Sequence, residues 1–288
     1  MNFAHKMQKL QDWFTQQWVI LFGRKFNPKT NDWLIGPFGE IDGIGEKFIN
    51  QLAEKEQLII QRNSIEKGIL NSIQQLNLST KDLQKLSPNV IDFYINTANY
   101  QLDFQVKWNP IFITFGFLVN QLFSRRINQL NVPFKNSNNS ESISSEIITL
   151  KKETNHETKY TIWLRKFEKS GKIIYSGVYD TCKLPSGETC VKAVFPLPKG
   201  NATVILKVLV GEKGELILDS SGKWFEEAGF YFLLNDAQHN FWAKYIRSFR
   251  DKLIVYSENQ EIFAKQTLTL WNLKVLTFHY KINPKNLD

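Results

Sequence analysis

Residues 172–210 read KIIYSGVYDTCKLPSGETCVKAVFPLPKGNATVILKVLV, and this stretch decides the fold class. Three runs rich in Val, Ile, Tyr and Phe are separated by Pro185-Ser186-Gly187 and by Gly200-Asn201. Such residues suit a pleated, half-buried surface, and short apolar runs broken by turn residues read as antiparallel hairpins. With Pro185-Ser186-Gly187 as a three-residue loop, Gly187 supplies the left-handed conformation that the loop needs. The register follows by counting: Leu184 opposes Glu188, Lys183 opposes Thr189, and Cys182 opposes Cys190. Directly opposed residues hold their Cβ atoms about 4.5–5.5 Å apart, so the two cysteines are predicted to be neighbours. Their spacing is not that of a CxxC redox pair. Packing of reduced thiols and a reversible disulfide both remain open, with catalysis the weakest reading.

The same pattern extends on both sides. IITLKKE and KYTIWLRKFE precede the stretch; GELILDSSG, GFYFLL, KLIVYSE, EIFAKQTLTLW and KVLTFHYKI follow it. Evenly spaced strands with hairpin turns predict an antiparallel meander that curls into a sheet or barrel. Residues 240–252 break the pattern: Phe241, Tyr245 and Phe249 recur every four residues, which predicts a helix.

Upstream the period is 3.6. Met7, Leu10, Phe14, Trp18 and Leu21 mark an amphipathic helix over 3–21, and further helices are predicted over 44–57 and 66–76. Ser79 can cap a short helix through Leu86, and Ser87-Pro88 opens another carrying Val90, Phe93 and Tyr94. YQLDFQVKW (100–108) alternates as a strand, and Pro110 opens an apolar helix through 111–123. Residues 133–144, dominated by Asn and Ser, read as a linker. The expected architecture is α+β: a mainly helical region over 1–132 packed on an antiparallel β domain over 145–288.

Composition narrows the function classes. The net charge of +8 is spread along the chain rather than gathered in a stripe, so nucleic acid is not an expected partner. The N-terminus has no continuous apolar core of a signal peptide, and no run reaches the roughly 18 apolar residues of a membrane span, which predicts a cytoplasmic protein. Three Asn-x-Ser/Thr matches, at Asn77, Asn138 and Asn201, carry little weight in that setting. Four histidines, at 5, 156, 239 and 279, lie far from one another and from the cysteines, so no metal site is expected. No phosphate loop, nucleophile elbow or HExxH stretch occurs, and no cofactor is expected. His239 and His279 are predicted to face solvent.

Aromatic residues make up 14% of the chain. A curved sheet lined by rings with polar tips can either pack solid or enclose an apolar ligand. The candidate ligand-binding residues are Tyr175, Tyr179, Phe195, Tyr231, Tyr245, Arg247 and Tyr256, within a wider group that includes Trp224 and Trp242. Arg165, Arg247 or Lys192 would meet an anionic head group. A cofactor-independent enzyme acting on such a ligand needs a buried carboxylate or histidine in the same cavity. A third reading is a membrane-surface or protein-interaction module using 3–21 and 111–123.

Several strings resemble an uncharacterised bacterial protein family. They are GPFGEIDG (36–43), FYINTANYQLD (93–103), SRRINQLNVP (124–133), VFPLPKGNATV (194–204), SSGKWFEEAGFY (220–231) and YIRSF (245–249). The resemblance spans about 30–282 and carries no catalytic role to any residue. The β half is also loosely similar to lipocalin-like and START-like ligand-binding folds, a likeness of fold that assigns no site.

Overall fold

The computed structural model describes residues 10–41, 44–62, 67–113, 133 and 141–285. Strands dominate it. In chain order the elements are α1 (Leu10–Phe22), β1 (Arg24–Lys25), α2 (Glu46–Glu56), β2 (Leu58–Gln61), α3 (Thr80–Lys85), α4 (Pro88–Ile95), β3 (Tyr100–Trp108), β4 (Glu141–Lys152) and β5 (Thr158–Phe167). They continue with β6 (Ile173–Lys183), β7 (Thr189–Leu197), β8 (Gly200–Val210), β9 (Leu216–Asp219), β10 (Gly229–Asn235) and β11 (Phe241–Tyr245). The last three are β12 (Phe249–Glu258), β13 (Glu261–Leu270) and β14 (Leu273–Pro284).

The sheet closes on itself. Antiparallel pairing runs β3-β4-β5-β6-β7-β8-β9-β12-β13-β14 and returns to β3, a ring of ten strands. Two long strands serve two partners along one edge. β8 pairs with β10 through 200–205 and with β9 through 207–210, so β10, β11 and β1 leave the barrel as a flap. β4 pairs with β3 through 141–143 and with β2 through 149–152. Residues 134–140 of the expected linker lie outside the described residues, and 141–144 are already strand.

Alternation sorts the side chains. In β3 the alternate residues Tyr100, Leu102, Phe104, Val106 and Trp108 are buried between more exposed neighbours and point into the barrel, because strand side chains alternate faces. Outside, Phe48, Ile49 and Leu52 of α2 cover Ile148, Ile162 and Val194, while Trp33 and Leu34 cover Ile205 and Tyr231. Gly36 is required in that covering loop, since a Cβ there would stand 2.6 Å from Val194. One end of the barrel is plugged by the segment from Ile69 to Tyr94, whose apolar residues join the interior cluster. Ser87 N–H donates to Gly214 O at 3.0 Å, and Asn89 Nδ2 donates to Ser257 Oγ at 3.0 Å, fixing the plug to two end turns.

The predicted hairpin register is observed: Cys182 pairs with Cys190, and Gly187 has φ +89°. Two helical expectations are corrected. Residues 240–252 form β11, a turn and β12, not a helix; a four-residue ring spacing also fits one face of a strand, and pairing of Tyr245 with Tyr231 decides the matter. Over 66–76 the described residues hold only a 3-10 turn at Ile73–Leu76. The backbone before it runs along α4 instead: Leu70 N–H donates to Tyr94 O, and a Cβ on Gly68 would meet that same oxygen. In α1 the packed side is Val19 and Ile20, with Trp13 and Trp18, against Leu234, Phe232 and Trp242. Leu10, Phe14 and Leu21 of the amphipathic stripe are exposed, and Met7 lies outside the described residues. Of the expected 111–123 helix, 111–113 is helical with Phe112 buried, and the remainder lies outside the described residues.

Candidate functional site

Among the described residues the barrel interior is mostly apolar, and its charged groups gather at one centre. On β5, Trp163, Arg165 and Phe167 share the inward parity, which places a guanidinium among rings. Arg165 is 7% exposed. Its guanidinium carbon lies 4.0 Å from the Trp163 ring centre and 4.5 Å from that of Tyr175. Both rings are therefore in cation–π range. Nη2 donates to the Tyr179 hydroxyl at 2.8 Å, whereas Nε is buried with no partner. Tyr175, Gly177 and Tyr179 follow one another on the inner face of β6. A Cβ on Gly177 would stand 2.8 Å from Phe195, so the glycine admits that ring between the two tyrosines.

Strands β12, β13 and β14 form the opposite wall. Asp251 Oδ2 accepts from Gln266 Nε2 at 2.7 Å, and the Tyr280 hydroxyl donates to Gln266 Oε1 at 3.2 Å. Oδ1 of Asp251 is buried without a partner. Burial, with a smaller push from Asp219, raises the Asp251 carboxyl to about 7, although Gln266 and Arg165 pull it down. Desolvation also raises the hydroxyls of Tyr175, Tyr179 and Tyr280, so all three remain protonated donors at neutral pH. Arg165 forms no ion pair among the described residues. One unsatisfied donor and one unsatisfied carboxylate oxygen thus lie on opposite walls of the same aromatic-lined interior. Such atoms are costly unless something binds them.

The structure brings together Tyr175, Tyr179 and Phe195 of the sequence candidates, with Arg165. It places the others elsewhere. Tyr231 is buried on the opposite face, against Trp33, Phe225 and Tyr245, and its hydroxyl donates to Glu227 O. Tyr245 donates to Gly222 O at 2.6 Å. The Arg247 guanidinium sits 5.1 Å over the exposed Trp224 ring. Tyr256 stacks on Phe263 at 5.7 Å, on the parity opposite to buried Val255. Lys192 donates to the carbonyls of Asp32 and Ile35 and pins the covering loop. His239 and His279 are exposed, as expected.

Trp163, Asp251, Gln266 and Tyr280 were not among the sequence candidates. A signal existed for one of them: Gln266 lies between Ala264 and Leu268, a polar residue at the parity of an apolar strand face, as Arg165 lies between Trp163 and Phe167. Asp251 was hidden by the helical reading of 240–252.

Burial pushes the thiols of Cys182 and Cys190 up to about 11 and about 12, and both are free. Among the described residues no group of three His, Cys, Asp or Glu could hold a metal, and no helix is long and apolar enough to cross a membrane.

Fold and centre together define a closed antiparallel barrel holding a cationic, hydrogen-bonding core inside an aromatic wall. No family model matches the chain, and no solved structure matches it. The chain is similar to a protein of Bacillus subtilis (strain 168) described as the uncharacterized membrane protein YndJ, at 24% identity over 245 residues. The match covers 84% of this chain and 42% of that protein, so the chain spans less than half the length of this relative. This agrees with the resemblance to an uncharacterised bacterial family.

Proposed function

We propose that the protein binds an apolar small molecule or lipid inside the barrel without chemically altering it. The observation that carries this reading is Arg165: a guanidinium 7% exposed, in cation–π contact with two rings, with Nε unsatisfied. Desolvating a guanidinium costs several kcal/mol, and the two rings and one phenol hydroxyl leave its Nε–H for a bound polar head group to satisfy. The inner walls supply apolar contact through Phe195, Leu253 and Leu268, which keep some accessible surface although their strands close the barrel. Native mass spectrometry of the purified protein tests the reading directly. A stoichiometric small-molecule adduct, released on denaturation, supports it. Failure to find one, together with no saturable displacement of a hydrophobic dye, points to a solid-packed scaffold.

A second reading is favoured by α1. Leu10, Phe14, Leu21 and Phe22 are 78%, 70%, 67% and 62% exposed, and the exposed Arg24 and Lys25 follow directly. An apolar helix face with adjacent cations suits peripheral contact with an anionic membrane surface. The relative of similar sequence is described as a membrane protein. Flotation with anionic vesicles, lost on Phe14→Ser with Leu21→Ser, is the check. Both readings are compatible in one protein that delivers or receives a lipid.

A further inference from the structure

We infer that the ligand's head group is a carboxylate, held between the Arg165 guanidinium and the carboxyl of Asp251, with one proton retained between the two carboxyl groups. This rests on the binder reading above and adds the chemical class and the proton.

The geometry limits the choice. Arg165 and Asp251 lie on walls five strands apart in a ring of ten, β5 against β12, and each carries one unsatisfied atom. Nε–H is a donor that prefers an anionic oxygen, and such charge-assisted bonds are about twice as strong as neutral ones. A neutral head group leaves the guanidinium charge uncompensated. A phosphate dianion brings two negative charges to a centre that holds one cation and already contains a carboxyl. A monoanionic carboxylate matches the single guanidinium. Its second oxygen then faces Oδ1 of Asp251, and two carboxylates cannot share that space unless one is protonated. The Asp251 O–H donates to the ligand, and its proton comes from solvent.

The charged and titratable groups around Asp251 are Arg165, the phenols of Tyr175, Tyr179 and Tyr280, and Asp219; a guanidinium is a permanent cation at these pH values. The phenols of Tyr175, Tyr179 and Tyr280 are raised and stay neutral, and Asp219 is engaged by Lys252 at 3.9 Å. Asp251 itself sits at about 7 without a ligand, and a neighbouring anion carries it higher. Below that pH the proton is already in place and affinity is greatest. Above it, binding must take up a proton, and affinity falls by up to about tenfold per pH unit.

The experiment compares oleate with oleyl alcohol and oleyl phosphate by calorimetric titration of the full chain, from pH 6 to pH 9. At pH 8 it uses two buffers of different ionisation enthalpy. The expected result is oleate at least roughly tenfold tighter than the alcohol, weakening as pH rises above about 7, with uptake of about one proton at pH 8. Asp251→Asn should bind oleate with a flat pH profile and no proton uptake. Equal binding of oleate and oleyl alcohol, or a flat wild-type profile, overturns this inference and leaves the binder reading standing. Preference for the phosphate also overturns it. If no probe binds, the binder reading fails and takes this inference with it. The wild-type comparisons decide the matter even where a variant does not fold.

Discussion

Asp251 has a consequence for stability apart from any ligand. Its carboxyl is raised from 3.8 to about 7 in the folded chain, chiefly by burial. A raised carboxyl is protonated in the folded state while the unfolded state has already ionised. The folded state therefore loses stability as pH climbs from about 4 to about 7, after which the loss is constant. Asp251→Asn removes that loss. The variant should gain on the variant-minus-wild-type difference by roughly 2–4 kcal/mol between pH 4 and pH 8, read from urea midpoints. A difference that is flat over this range would show that the carboxyl is not desolvated. Cys182 and Cys190 are predictable at the same scale. With thiols pushed to about 11 and about 12, almost no thiolate exists at pH 8, and neither should react with iodoacetamide in the native protein. Mass spectrometry of native against urea-unfolded protein distinguishes this from two fast-reacting thiols.

At the scale of elements, legibility followed how local each contact is. The β6–β7 hairpin was legible to the residue, because Gly187 fixes the loop and the loop fixes the register. Residues 240–252 were not. Phe241 and Tyr245 lie on one face whether the backbone is helix or strand, and only the distant partner Tyr231 separates the two cases. In α1 the period was legible and the helix forms over Leu10–Phe22, but which side packs was not: the flap of β10 and β11 receives the neighbouring side of the helix. Helix α4 was legible from Ser87-Pro88, yet its role as a plug was not. Phe93 meets Tyr94, Tyr100 and Trp163 at 5.4, 5.5 and 6.2 Å between ring centres, joining the plug to the barrel lining. Phe93→Ala should destabilise the whole chain by about 3–5 kcal/mol, measured by urea unfolding. A loss below about 1 kcal/mol would mean that the plug moves independently of the barrel.

For the whole molecule, alternation announced a meander curled into a sheet or barrel but did not decide between the two. Two pairings close the ring, and neither has a local signal. β9 is four residues long and joins β8 to β12, while β3 joins β4 to β14 across more than a hundred and sixty residues of chain. The polar centre depends on that closure, since Arg165 on β5 and Asp251 on β12 face each other only across a completed ring. β3 also contributes Leu102, Phe104 and Val106 to the core, with Phe104 touching Phe167, Phe278 and Tyr280. Residues 145–288 expressed alone therefore lack a wall of the barrel. They also lack the 141–143 segment through which β4 meets β3, and they leave β14 with an unpaired apolar edge. Exposed hydrophobic edges of this kind promote association. The fragment should be poorly soluble, with no cooperative thermal transition by circular dichroism, while residues 97–288, which restore β3, should recover part of one. A soluble 145–288 fragment with a cooperative transition and native near-UV signal would show that the remaining nine strands close without β3, and that the ring is not the unit of stability.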